Sequence, residues 1–449
     1  MSKHSEPSNL LEGAISRHLV RLAIPSSMGM IFNTLYNLSD YWFAGRLSSE
    51  ALAGVSIASS VFFLLIAAGI GLQIGASAVI APSVGAKNTA DAQGWSREVI
   101  GLSLITSILI MVLGWIFTEP LVNLLGAEPN VAPFAVTYIR YTIVAVPAFM
   151  VGFAAAGVLM AYGDTKSNRN ALAFGLGLNL VLNPLFMFTL GLGVAGLAIA
   201  TGLIKLVTAF YLLRKIDVVS GGNASRPAFN VVQWVPLLKQ VLPASFNMLS
   251  VILGSFITVA LIGRFGSQHI AGYSIGLRLE QLLLLPALGM NSAVMAIAGQ
   301  NYGAGNAIRV QQTYHAGLTI GLAMAGVSIP VMVFLSPLLM TFFTDNPAIV
   351  ATGTAYLRID AIAFYAYVVL FLTTATLQAI KQPLFPMVLG LARHLVVPVS
   401  INVLLVVYFG FPMLSVFYTL IGIVVISAFT AHLFTRWRLQ KLIVSMGKG

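Results

Sequence analysis

The stretch Ser26-Ser27-Met28-Gly29-Met30-Ile31-Phe32-Asn33-Thr34-Leu35-Tyr36-Asn37-Leu38-Ser39-Asp40 sets a carboxylate inside what otherwise reads as the first membrane span. At about 100° per residue, Ser26, Gly29, Asn33, Tyr36, Asn37 and Asp40 fall on one stripe of a helix. That stripe cannot face lipid. An ionisable residue at membrane depth costs about 2.5 kcal/mol or more, so it faces a bundle interior or a watery cavity and marks an ion or substrate path. The plainer reading is a helix-packing face held by Asn and Ser; the carboxylate argues against it.

Composition agrees with a membrane chain. Of 449 residues 58% are hydrophobic and 8% charged, far more apolar than a soluble globular protein. With no cysteine there is no disulfide framework and no thiolate metal or redox site. The His residues, His4, His18, His269, His315, His394 and His432, form no HxxH or HExxH pair, so no metal site is expected. Residues 1–18 are polar, and the apolar run from Leu19 exceeds a signal-peptide core and reads as an uncleaved anchor helix. Pro25, near its start, is either a hinge or a plain first-turn proline.

Apolar windows bounded by Gly, Pro and charge give twelve spans, near 19–44, 52–82, 99–117, 133–161, 170–190, 194–213, 237–262, 270–300, 317–335, 351–379, 388–408 and 412–431. Adding 218 to each number lays the first six on the second six without a gap. Pro25 then falls on Pro243, Gly45-Arg46 on Gly263-Arg264, Ala53-Gly54 on Ala271-Gly272, Gly85-Ala86 on Gly303-Ala304, Tyr138 on Tyr356 and Arg140 on Arg358. The predicted fold is an all-α integral membrane protein whose two six-helix lobes are related by a pseudo-two-fold along the membrane normal. Residues 1–213 form the N-terminal lobe and 239–449 the C-terminal lobe; the polar stretch 214–238, with Gly221-Gly222 and Arg226-Pro227, reads as a flexible cytoplasmic linker. Most Lys and Arg, from Lys3, Arg17 and Arg21 through Lys87, Arg97, Lys166 and Lys215 to Arg436 and Lys448, fall on the side of the termini. Arg46 and Arg264 fall on the other. The positive-inside rule therefore puts both termini in the cytoplasm, and the net charge of +11 needs no nucleic-acid partner.

Two equal lobes suit alternating access. No GxxxxGK[ST] loop is present to grip ATP phosphates, so the energy source is expected to be an ion gradient or a partner. A formal GxGxxG at Gly191–Gly196, with Asp217 downstream, lies between two apolar spans and reads as a glycine-rich hairpin. The repeats differ in their polar groups: Asp40 falls on Thr258, Asn179 on Val397 and Asn183 on Ile401. Asn179 and Asn183, four apart, share a helix face, and with Asp40 they suit one hydrogen-bonded cluster. Desolvation works against the charged form of a carboxyl there, which suits uptake and release of a proton.

These residues resemble the multidrug and toxic compound extrusion transporters, in their DinF-like branch, from Arg17 to about Arg438. The resemblance rests on Pro25, on Asp40 with the exit Tyr41-Trp42-Phe43-Ala44-Gly45-Arg46-Leu47, on Ala51-Leu52-Ala53-Gly54, on Asn179 to Pro184 and on Gln300-Asn301-Tyr302-Gly303-Ala304-Gly305-Asn306. It implies a cation-coupled antiporter that expels small amphipathic, often cationic, drug-like compounds from a bacterial inner membrane. In that picture Asp40 is the proton-coupling residue, with Asn33, Tyr36, Asn37, Asn179, Asn183 and Thr201 as the polar cluster and Pro25 as the hinge. Position 183 often carries Asp in this branch and is Asn here. One carboxylate fewer disfavours sodium, a hard cation that prefers charged oxygens, and favours proton coupling. No cofactor is expected, membrane lipids are the surroundings, and a monomer suffices.

Glu280 beside Arg278, and Asp360 beside Arg358, are spaced so that self-pairing along the helix is poor. Arg278, Glu280 and Asp360 remain possible second-lobe contacts; Asp360, near a span end, also suits a structural ion pair. Lys205 and Arg393 have no evident role. A lipid-linked precursor flippase would need a ring of cavity cations, for which only Lys205, Arg278 and Arg393 offer themselves. An enzyme would need clustered catalytic residues at one membrane face, which the short loops lack. A channel gives no reason for lobe asymmetry around one acid.

Overall fold

In the computed structural model the described residues are 9–447, so Lys3 and Lys448, which enter the charge argument, and the outermost residues of both expected lobes lie outside them. All regular secondary structure among the described residues is helical. The first repeat comprises α1 (Ile15–Leu47), α2 (Ser49–Gly85), α3 (Thr89–Leu124), α4 (Ala132–Val144), α5 (Val146–Ala161), α6 (Lys166–Pro184) continued by a π-helical turn at Leu185–Thr189, and α7 (Gly193–Ser220). The second comprises α8 (Val231–Gly263), α9 (Ser267–Gly303), α10 (Ala307–Phe334), α11 (Ser336–Thr341), α12 (Pro347–Asp360) and α13 (Phe364–Ala379). It closes with α14 (Leu384–Leu391), α15 (Val397–Asn402) and α16 (Leu414–Met446), with π-helical turns at Ala392–Val396 and Val403–Tyr408.

The offset of 218 carries into the backbone. Both ends of α2 and α9 obey it, and a π-helical turn ends the fifth span of each repeat, at Leu185 and at Val403. The fourth span breaks in both repeats, by 56° between α4 and α5 and by 58° between α12 and α13. Among the described residues nine helices are long and apolar enough to cross a membrane, and the two bent pairs bring the count to eleven. The twelfth span is α1, whose 33 residues suffice in length. Its polar stripe keeps it from passing as an apolar window.

Packing divides the chain at other points than the repeat does. One compact unit holds Met28–Ser245, and the other holds Leu10–Ser27 with Phe246 onward. Thus the first half of α1 packs with the second repeat, and the first half of α8 packs with the first. The change-over points, Ser27/Met28 and Ser245/Phe246, again differ by 218. Glycines on α2 and α9 make these crossings possible. A Cβ on Gly71 would lie 2.7 Å from the backbone nitrogen of Ser245, and one on Gly289 would lie 2.6 Å from the carbonyl oxygen of Ala23. Small residues let membrane helices approach this closely, which is how packing replaces the hydrophobic effect between them.

The stretch read as a flexible linker is ordered. α7 runs on to Ser220 and α8 starts at Val231, so only 221–230 is non-helical. Asp217 accepts from both the backbone and the hydroxyl of Ser225, and the Arg97 carbonyl accepts from the Ala228 backbone. Glu98, 4% exposed on α3, accepts at one carboxyl oxygen from the Asn230 backbone N–H and from Trp234 Nε1, each at 2.9 Å. Composition alone hid this anchor, because a single Glu in an apolar span carries no signal of its partner. In the other unit the counterpart of 228–231 is Leu10–Gly13, held by Asn301 Nδ2 on the Leu10 carbonyl and by Arg309 Nη2 on the Glu12 and Gly13 carbonyls. Each chain segment leading into α1 or α8 is thus tied down just before its helix begins. Glu98→Ala leaves the Trp234 and Asn230 donors without their acceptor and is expected to cost about 1–3 kcal/mol, read as a lower unfolding midpoint in detergent. Glu119→Ala, which removes an exposed ion pair with Arg140, is expected to cost less than ~1 kcal/mol in the same assay.

Candidate ion-coupling site

Three helices of the first unit meet at Asp40. α1 supplies Tyr36 and Asp40 one turn apart, α6 supplies Asn179 and Asn183 one turn apart, and α7 supplies Thr201 and Lys205 one turn apart. Asp40 is 7% exposed, and Asn179 and Asn183 are fully buried. Asn179 Nδ2 donates to Asp40 Oδ1 at 2.7 Å and Asn183 Nδ2 donates to the same oxygen at 2.8 Å. Asp40 Oδ2 accepts no hydrogen bond among the described residues. The amide oxygens of Asn179 and Asn183 are buried without a partner. Two charge-assisted donors on one oxygen hold the carboxylate in place and leave the other oxygen free.

Tyr36 donates to Thr201 Oγ1 at 3.1 Å, which joins α1 to α7. Lys205 Nζ lies 4.9 Å from the centre of the Tyr36 ring and 5.2 Å from that of Phe149. The structure therefore brings together Asp40, Asn179 and Asn183, and beside them Tyr36, Thr201 and Lys205. Asn33 and Asn37 stay outside this cluster: both are exposed, with no hydrogen bond to it. Asn37 follows Tyr36 and so lies about 100° further round α1, which turns it away from α6 and α7. Pro25 sits inside a continuous α1, two residues before the change-over between units.

The second unit buries acids of its own. Glu280 on α9 accepts a short hydrogen bond from Tyr356, and Asp360 accepts from Tyr367 at 3.1 Å. Both acids are thus bonded by tyrosines, and Asp360 makes no ion pair within 4 Å among the described residues. Arg278 is exposed, and Arg358 donates to the Val333 carbonyl at 3.1 Å. Asp360 does not lie near a span end: it closes α12 at the break inside the fourth span of its repeat, 2% exposed. The break frees backbone groups and admits a polar side chain at depth. In the first repeat Phe62 stands where Glu280 stands and packs edge-on against Tyr138, the counterpart of Tyr356. The repeats have diverged in both directions: Asp40 has Thr258 as its counterpart, while Glu280 and Asp360 have Phe62 and Thr142 as theirs. Among the described residues no group of three His, Cys, Asp or Glu is placed to hold a metal ion.

A helical chain of twelve spans, built as two repeats with carboxylates buried at membrane depth, is a membrane transporter rather than an enzyme. The MatE family model matches residues 25–185 and again 243–404, so the match itself repeats at the 218 offset, and the chain belongs to the MatE family. It is 28% identical over 393 residues to a FAD transporter of Shewanella oneidensis, covering 86% of each chain. It is 22% identical over 426 residues to the multidrug export protein MepA of Staphylococcus haemolyticus, covering 94% of this chain and 93% of that one. Among solved structures it is similar to one described as the outward-facing conformation of a multidrug resistance MATE family transporter of the MOP superfamily. That likeness has a TM-score of 0.91 and 26% identity, over 98% of this chain and 99% of the other. A structure described as MATE in the bent conformation matches equally, with a TM-score of 0.91.

Proposed function

We propose that the chain is a secondary active exporter of amphipathic, drug-like compounds in a bacterial cytoplasmic membrane, driven by exchange for protons at Asp40. Both termini are taken as cytoplasmic, and one chain as the working unit. The observation that carries the reading is the asymmetric carboxylate: Oδ1 holds two amide donors while Oδ2 stands free. A proton arriving on Oδ2 removes the charge and weakens both charge-assisted bonds to α6. The new O–H needs an acceptor, and the unpartnered amide oxygens of Asn179 and Asn183 supply one once their amides turn. Proton uptake therefore loosens α1 from α6 at Asp40. Pro25, lacking a backbone donor, offers a point for α1 to bend as it is released.

The relatives named as multidrug export proteins support a broad apolar substrate range, and the relative named a FAD transporter adds an aromatic phosphate to the classes to test. A proton is favoured over sodium because the cluster on α1, α6 and α7 holds a single carboxylate. The test is dye efflux from everted vesicles with the two gradients varied separately. A protonophore is expected to abolish efflux, and replacing sodium by potassium is expected to leave it intact. Efflux that survives the protonophore and stops without sodium contradicts the reading.

A further inference from the structure

Lys205 is the group that proton exchange at Asp40 leaves unexplained. It lies twelve residues into α7, about 18 Å from Gly193 along the helix axis and so near the middle of the span. A cation at that depth is retained for a partner. Asp40 is the acid that faces it, yet the one ion pair closer than 4 Å among the described residues is Arg140 with Glu119. Asp40 gives its bonded oxygen to two amides instead. Lys205 Nζ rests between the rings of Tyr36 and Phe149, and rings accept none of its three N–H donors as an oxygen would. The repeat shows that this placement is a feature of the first unit alone, since position 423, the counterpart of 205, is Ile423.

We propose that Lys205 selects anionic aromatic compounds, its ammonium taking a carboxylate or phosphate while Phe149 takes the ring. This rests on the transport reading above and names a substrate class for it. The charge balance supports it. The groups that face Lys205 are Tyr36 and Asp40 on α1 and Phe149 on α5, with Thr201 one turn away on α7. When Asp40 carries a proton, Lys205 is the one remaining charge in that group, and an acidic ligand neutralises it. A cationic drug meets repulsion at Lys205, so ring-bearing anions and cations are separated by this residue.

The test uses the full chain, purified and reconstituted, with two probes: flavin mononucleotide as the aromatic phosphate and ethidium as the aromatic cation. Binding is read by quenching of flavin fluorescence, transport by movement across the vesicle membrane. Lys205→Met is expected to weaken flavin mononucleotide binding about tenfold or more, the loss of one charge-assisted contact, and to shift the ethidium-to-flavin transport ratio upward by at least about tenfold. Lys205→Arg is expected to restore most of the binding. Equal binding by wild type and Lys205→Met overturns the proposal, as does a parallel fall for both probes. Binding that depends on Lys205 without transport of either probe upholds the anion site and overturns the exporter reading instead.

Discussion

Asp40→Asn is expected to lower gradient-driven export at least about tenfold while the protein remains folded. The substitution keeps the volume and keeps an oxygen to accept from Asn179 and Asn183, so the contact between α1 and α6 persists. What it removes is the group that ionises. With no carboxylate, the contact cannot make the proposed alternation between a charged, tightly held form and a neutral, loosened one. The unfolding midpoint in detergent is expected to change by less than the equivalent of ~1 kcal/mol, because the buried hydrogen bonds are replaced rather than deleted. Export measured at matched expression, with that midpoint beside it, separates loss of coupling from loss of fold. Asp40→Ala makes the contrast: it leaves two buried amide donors without an acceptor and is expected to lose stability and export together.

Bulk at the two helix crossings is expected to have the largest effect on stability. In Gly71→Val the new side chain meets the backbone of Ser245, and in Gly289→Val it meets that of Ser27 and Ala23, where no side-chain rotation gives relief. Overpacking of this kind costs about 1–3 kcal/mol even where neighbours yield, and more where the neighbour is backbone. Both variants are expected to lower the unfolding midpoint strongly and to reduce the folded yield. Gly152→Val, on α5 with open space around its Cβ direction, is expected to stay close to wild type. Thermal unfolding in detergent of the three variants checks the ordering, and equal midpoints for all three would contradict the packing described at α2 and α9.

Much of this architecture was legible because membrane spans announce themselves by length and hydropathy, and because a gapless repeat survives in small residues such as Gly45, Gly54 and Gly85 and in their counterparts. The Asp40 cluster was legible for a related reason: polar side chains inside an apolar span must satisfy one another, and helical spacing says which of them face the same way. What depended on tertiary packing was hidden. The seat of Lys205 between Tyr36 and Phe149 joins three helices, and no spacing along one of them reports it. Glu280 and Asp360 were visible as acids, but tyrosines as their donors were not, since Tyr356 and Tyr367 look like ordinary apolar-span residues. Asn33 and Asn37 went the other way: both share the stripe of Asp40, but Asn37 stands about 60° round the helix from it and Asn33 about 10 Å along the axis, and both are exposed. The change-over of α1 and α8 between units left its trace in glycines such as Gly71 and Gly289, whose need for space a sequence does not state.

In the proposed mechanism Asp40 carries the coupled proton. The most direct test reconstitutes wild type and Asp40→Asn in vesicles with an internal pH indicator and adds a transported dye in the absence of any imposed gradient. Wild type is predicted to move protons in the direction opposite to the dye, and Asp40→Asn is predicted to move none. Dye-triggered proton movement of wild-type size in Asp40→Asn would contradict the account and shift the coupling to Glu280 and Asp360 in the second unit.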